Sequence, residues 1–488
     1  MHTFGALLIP ELRWDCIHGF SQLQPRIDEA LALGVGGFVI ANGPSPRVAE
    51  LTTALQRASR HPLLIAAPAA CGAATALDGA TGLPPMAALG ALHDEDVIRR
   101  AARLTARELR VAGVTWALAP AADLAVEPLN PFLGARALHH DPQRVAEWVV
   151  AWVDACQAEG VLATALHLPG EGRALVDASL DTSVVDAPGA GLWATDLVPF
   201  RAAVDAGVAT VLASAVTYPR LDASRVPAAC SRVILRELMR DELQFEGLLV
   251  APPPLTAALR GLGDEGNVAA QMLAAGCDLI LAPQDLRGVH EGIMRAVDAG
   301  TLRWEDLEAS LQRRTFWARW GRGDALREPT LDDVLWARKV SDTVVHAPRG
   351  VFANVGPVMD VILVDDDAPD AAPDAADDAT RFAPFLATLR AVGLGPRVVM
   401  GPTDDGRGAV CIAVRGAPAA GRGRAGYHAA TRARVAALLQ AARAARRPVV
   451  AVLFGPPALA DDLPDVPNVI CAWSGNRAMQ EAAARRLA

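Results

Sequence analysis

A run of side chains able to do acid–base or binding chemistry lies between positions 123 and 181 of this 488-residue chain. In the turn HLPGEG (167–172), Glu171 stands four residues after His167. A glutamate aimed into an open site can donate or accept a proton; a solvated loop glutamate is the more ordinary use of such a turn. Asp177 can orient a base, bind a hydroxyl or cap its own loop. Asp177 or Asp181 can partner Glu171 in two-carboxylate chemistry. His167 ends the strand-like run Leu162–His167, so it either meets a ligand or is a hydrogen-bonded core histidine. Arg136 offers a planar fork suited to carboxylate or phosphate, or else closes an internal salt bridge with Asp123. Asp123 reads first as such a structural partner and second as a ligand contact. His139 and His140 precede Asp141 and invite a metal reading. Adjacent histidine side chains in a loop diverge and no third ligand has suitable spacing, so a surface pair and no metal are expected. GRGRAG (421–426) is faintly like a phosphate-cradling loop but lacks the lysine and the strand-to-helix setting of one.

These residues need elements to hold them. Short, nearly continuous apolar runs recur at Gly5–Ile9, Gly37–Ala41, Leu63–Ala67, Thr115–Ala119, Leu162–His167, Thr210–Ala215, Leu248–Ala251 and Leu279–Ala282. Parallel strands buried on both faces have this pattern. Helical stretches alternate with them. Asp94–Ala112 opens on acids, closes on Arg107 and Arg110, and carries Val97, Ala101, Leu104 and Leu109 on one face. Asp141–Gly160 starts at Asp-Pro and stops at glycine. Eight such units predict a (β/α)8 TIM-type barrel, with a doubly wound sheet as the alternative. Trp14, Trp116 and Trp193 stack on a sugar if they line the barrel mouth, and otherwise fill the core. After Trp320 the pattern changes. Leu331–Val345 reads as a linking helix, and Val358–Val364, Ala409–Val414 and Val449–Phe454 read as strands of a smaller three-layer α/β/α sandwich. The expected division is 1–325, 326–349 and 350–488. The acidic stretch 365–380 has little to bury and reads as a surface loop.

Composition excludes other classes. Apolar residues make up 52% and charged residues 21%, an ordinary globular balance. The net charge is −9, so a nucleic-acid surface is not expected, and the sole lysine, Lys339, among many arginines fits a GC-rich genome. Seven scattered cysteines form no CxxC pair, which fits a reducing compartment. No signal peptide and no membrane span are read from the sequence, so a cytoplasmic location is expected.

Several stretches in order resemble glycoside hydrolase family 3, especially its β-N-acetylglucosaminidase branch. They are LPPMAALGAL (83–92), APAADLAVEPLNPFLGARALHHDPQRV (119–145), HLPGEG (167–172), DLVPFRAAVDAGVATVLASAVTYPRLD (196–222), PAACSRVILRELMRDELQFEGLLV (227–250) and AGCDLILAP (275–283), with FGPPALADDLP (454–464) and AWSGNRAMQEAAA (472–484) in the second domain. The resemblance implies the barrel, a bacterial retaining glycosidase ancestry and no cofactor. It also implies an aspartate nucleophile at a strand end shortly after a Phe-x-Gly turn. Here that turn is Phe245-Glu246-Gly247, and the matching position is Pro252. The branch's Asp-x-His acid/base dyad falls on Asp177 and Ser179. Its substrate-binding lysine falls on Leu166 beside a retained His167, and a sugar-binding aspartate falls on Pro68. Asp123 and Arg136 match retained positions.

Three functional expectations follow, in order. One is a family member that has lost hydrolysis and binds a sugar or peptidoglycan fragment, or serves as a scaffold. The second is an active retaining β-N-acetylglucosaminidase or β-glucosidase with relocated groups at Glu171, Asp177 and Asp181. The third is a structural module acting through a protein partner or a homo-oligomer.

Overall fold

The structure is a computed structural model that describes residues 4–320, 325–350, 356–367, 380–402 and 408–488. By contacts the chain divides into two units. The first gathers Met1–Thr81, His93–Glu127 and Ala137–Thr330; the second gathers Gly82–Leu92, Pro128–Arg136 and Leu331–Ala488.

The first unit is a ring of parallel strands. Strand β1 comprises Leu8–Ile9 and, past Pro10, Glu11–Arg13. Its two halves face opposite neighbours: Leu8 pairs with Ile280, whereas Glu11 pairs with Val39. Proline has no N–H to give the ladder, which suits it to this changeover. Round the ring follow β2 (Gly37–Pro44), β3 (Leu64–Pro68), β4 (Trp116–Leu118), β5 (Thr164–Leu168), β6 (Thr210–Ala213), β7 (Leu248–Ala251) and β8 (Leu279–Leu281). Between β4 and β5 the ring is closed by Ala117 N–H to the Leu162 carbonyl at 2.8 Å and Thr164 N–H to the Ala119 carbonyl at 2.8 Å. The expected strand at Gly5–Ile9 is shorter, because Phe4–Leu7 forms a 3₁₀ turn ahead of it.

Apolar side chains fill the ring: Ile9, Val39, Leu64, Trp116, Leu248 and Leu279 pack together, with Trp317 and Trp320 against them. Trp116 is fully buried, and its Nε1–H reaches Thr164 Oγ1 at 2.8 Å and Thr210 Oγ1 at 3.0 Å. It is core, not a sugar platform. Helices Glu95–Val111 and Pro142–Gln157 start at Asp94 and Asp141, whose carboxylates accept the Asp96 and Arg144 amides. The buried face of the first runs through Ile98 rather than Val97.

The second unit is a six-stranded sheet. Its strands are β9 (His346–Arg349), β10 (Val358–Asp365), β11 (Gly395–Val398), β12 (Val410–Arg415), β13 (Val449–Phe454) and β14 (Val469–Cys471), in the order β9-β14-β13-β12-β10-β11. All pairs are parallel except β9 with β14. Alternate residues bury on opposite faces, as the two-residue period of a strand requires. Val361, Leu363, Cys411 and Val452 meet Phe382, Phe385 and Met479 on one side. Ile362, Val364, Ile412 and Leu453 meet Tyr427, Val435 and Leu439 on the other. This is a three-layer sandwich.

The acidic stretch does not begin as a surface loop. Asp365 and Asp366 are buried at the end of β10, held by arginines. Positions 368–379 lie outside the described residues.

Candidate active site at the barrel mouth

Barrel chemistry sits at the carboxyl ends of strands, and there the chain after β4 meets the turn after β5. Asp123 is fully buried. Its Oδ1 accepts the Glu171 amide at 2.7 Å, and its Oδ2 accepts His167 Nδ1–H at 2.8 Å, with the His167 amide 3.2 Å from both oxygens. One carboxylate thus gathers HLPGEG round itself. Gly172 allows the approach, because a Cβ there would lie 2.1 Å from the Leu124 carbonyl oxygen. The sequence reading expected Asp123 to pair with Arg136; the side chain it meets here is His167.

Glu171 is buried at 5% exposure, not solvated as the turn suggested. Its Oε1 accepts the Ser214 hydroxyl at 2.5 Å, and its Oε2 lies 3.9 Å from His167 Nδ1. Ser214 is the first residue past β6, so the next strand covers the glutamate. Tyr218 donates to the Gly170 carbonyl at 2.9 Å. Burial, reinforced by the Glu171 charge, pushes its hydroxyl well above the ordinary range. Sequence reasoning did not single out Ser214 or Tyr218. The strand-end position of Ser214 was the available signal.

Asp177 is buried and caps its loop: Oδ1 accepts the Ser179 amide at 2.9 Å and the Ser179 hydroxyl at 2.6 Å. The Ala258 amide donates to the Ala178 carbonyl at 3.0 Å, which fastens this loop to the one that follows β7. Asp181 is exposed and accepts the Thr182 amide. Pro252 follows β7 directly and is buried. The next acids both hold backbone. Asp264 caps helix Glu265–Ala275, and Glu265 accepts the Gln284 and Asp285 amides at 2.6 and 2.9 Å. Leu166 is buried within β5 opposite Leu212, and Pro68 ends β3 half-buried.

Arg136 belongs to the second unit. There its guanidinium lies 3.9 Å over the Phe132 ring and donates to the Phe132 and Leu133 carbonyls. The rings of His139 and His140 do not diverge; they stack at 4.1 Å, with His93 edge-on to His139 at 5.6 Å. Among the described residues no group of three His, Cys, Asp or Glu could hold a metal. Trp14 packs edge-to-face on Phe20, and Trp193 lies under Arg201.

The fold defines a barrel protein, with a candidate site in the polar cluster at the carboxyl ends of its strands. The family model described as the glycosyl hydrolase family 3 N terminal domain matches residues 28–315, and the chain belongs to that family. A β-N-acetylglucosaminidase/β-glucosidase of Cellulomonas fimi is 31% identical over 349 residues, 66% of this chain and 61% of that protein. A β-hexosaminidase of Nitrosomonas eutropha is 32% identical over 281 residues, 56% of this chain and 78% of the relative. Among solved structures, a family 3 β-N-acetylglucosaminidase of Paenibacillus superposes with a TM-score of 0.83 at 22% identity, covering 99% of this chain and 95% of its own. A β-glucoside phosphorylase superposes at 0.82 and 18% identity, covering 99% and 90%. At these identities the two structures establish the shared fold. No helix among the described residues is long and apolar enough to cross a membrane.

Proposed function

We propose that this chain binds an amino sugar or a peptidoglycan fragment at the barrel mouth and does not hydrolyse it. One observation carries the reading: Pro252 is buried directly after β7, where the family resemblance places the nucleophile. Retaining hydrolysis needs two carboxyl groups about 5–5.5 Å apart, one of which attacks the sugar. Between Glu246 and Asp264 the chain has no acid, and Asp264 and Glu265 hold backbone. Ser179 stands where the resemblance places a proton-transferring histidine. Losing a covalent nucleophile removes orders of magnitude in rate. What persists at the strand ends is a polar pair, His167 and Glu171, held in place by Asp123 and suited to sugar hydroxyls. Arg136 joins that pair by resemblance alone. We place the protein in the cytoplasm, keep 1–325, 326–349 and 350–488 as its inherited parts, and leave room for a protein partner or a second copy.

A second reading has its own support. Glu171 is buried at a strand end beside His167 and Ser214, where an acid with a relocated partner would stand. Hydrolysis of aryl β-N-acetylglucosaminide and aryl β-glucoside separates the two. We expect turnover at the no-enzyme level, together with a melting temperature raised by N-acetylglucosamine or muropeptides, since ligands that prefer the folded state stabilise it. Turnover that the pair Glu171→Ala, Asp177→Ala abolishes would establish relocated catalysis and overturn the binding reading.

A further inference from the structure

We propose that the second unit carries a binding site for a phosphoryl group at the carboxyl end of its sheet, in the crevice between β10 and β12. In the order β9-β14-β13-β12-β10-β11, the chain runs from β10 outward to β11, and from β12 outward in the other direction to β13. The strand order therefore reverses between β10 and β12. In open parallel sheets, ligands settle outside the strand ends at such a reversal.

Charged groups converge at this point. Asp365 ends β10, and Asp366 and Asp367 follow it. Arg381 and Arg415 donate to Asp365 Oδ2 at 2.6 and 2.9 Å. Arg424 donates to Asp366 Oδ2 at 2.8 Å, and Arg422 pairs with the same oxygen. Arg422 Nε lies 2.9 Å from Asp367 Oδ1. Four guanidinium groups thus gather round Asp365, Asp366 and Asp367, and a further carboxylate, Asp462, accepts the Tyr427 amide at 2.7 Å. The helix Ala429–Ala444 starts here too, with the His428 amide on Asp366 Oδ1 at 2.8 Å.

A second observation, independent of these pairings, points to a missing acceptor. The Arg422 side chain is 7% exposed, yet its Nη1 has no hydrogen-bond acceptor among the described residues. The Tyr427 hydroxyl beside it is buried and also has no partner among the described residues. Buried donors are ordinarily paired, and leaving them unpaired is unfavourable. Both groups border Gly416, the first residue past β12. A Cβ there would lie 2.7 Å from Arg422 Nη2 and 3.3 Å from the Tyr427 ring. The glycine therefore lets Arg422, Tyr427 and the Asp366 Cβ, 2.7 Å from that same position, close in on the strand end. Burial, with Arg424 alongside, pulls Arg422 down to about 10, the direction expected of a cation short of negative charge. A phosphoryl dianion supplies both the charge and the acceptors, and the guanidinium fork matches its geometry. A cation would find the three aspartates already committed to arginines.

The test uses the full chain in melting and calorimetric titrations. The probes are inorganic phosphate and glucose 6-phosphate, each set against sodium chloride of equal ionic strength. We expect a saturable rise in melting temperature with at least one probe. The stronger response identifies the source as the free anion or a phosphomonoester. Arg422→Gln abolishes the rise. Arg415→Gln, at a side chain one-third exposed and less prone to unfold the unit, weakens binding at least tenfold. Arg295→Gln, on a barrel helix, leaves binding unchanged. A rise no greater than that with chloride, or one that persists in both Arg415→Gln and Arg422→Gln, overturns the proposal.

Discussion

At the scale of residues, Asp123 is the fixed point of the barrel mouth. It accepts two backbone amides and an imidazole in a fully buried place. Asp123→Ala strands the amides of His167 and Glu171, so we expect a loss of about 2–4 kcal/mol, read as a lowered urea midpoint. Asp123→Asn keeps an acceptor and should lose less. Asp123, His167 and Glu171 were all legible as candidates, but their contact was not, because 44 residues separate Asp123 from His167. Glu171 was misread for the same reason. Its cover, Ser214, comes from another strand 43 residues on, and local sequence carries no sign of it. A pH prediction belongs to Asp365. Burial alone would raise its pKa, but the Arg381 hydrogen bond, the Asp367 amide and Arg415 together hold it below 3.8. A depressed carboxylate stabilises the fold above its unfolded pKa, and that contribution disappears as pH falls through the folded value. Urea midpoints of the full chain should therefore fall below about pH 4. Arg381→Gln should flatten that dependence. An equally steep fall in the variant would exclude the pairing as its cause.

At the scale of elements, strands buried on both faces were the legible ones. Seven of the barrel strands, with β10, β12 and β13, announce themselves as continuous apolar runs, whereas the Glu11–Arg13 half of β1 does not. The sandwich edges do not. β9 contains Pro348, β11 contains Pro396, and neither has a fully buried residue. Edge strands tolerate proline and polarity because one side of their ladder is unpaired. β14 is buried but only three residues long, too short to show a period. Helix packing was equally hidden. Gly266 in helix Glu265–Ala275 meets Gly292 in helix Leu286–Asp298 so closely that a Cβ on Gly292 would lie 2.6 Å from the Gly266 backbone. Gly292→Ala should cost about 1–3 kcal/mol through overpacking, despite alanine's better helix propensity. Calorimetric melting decides which effect wins: an unchanged or raised melting temperature would show that the helices can part without penalty.

At the scale of the whole molecule, the chain passes between its two units at 81–82, 92–93, 127–128, 136–137 and 330–331. The second unit's core includes Ala88, and the Leu83 carbonyl accepts Asn476 Nδ2–H at 3.0 Å. Leu83, Met86, Leu89 and Leu133 are buried as well. A chain ending at 330 would leave Ala88, Leu92 and the Leu83 carbonyl without these partners. Each buried leucine exposed gives up about 1.5–3 kcal/mol. We expect such a truncation to bind a hydrophobic dye and aggregate, where the full chain does neither. A monodisperse, dye-silent fragment would show that the inserts fold back on their own. The interleaving also bears on descent. A recombination event with a single breakpoint cannot exchange the C-terminal part of this gene for another, because two short passages far upstream would then face a stranger. A mutation accepted in the sandwich therefore alters which changes the inserts between the barrel strands can tolerate.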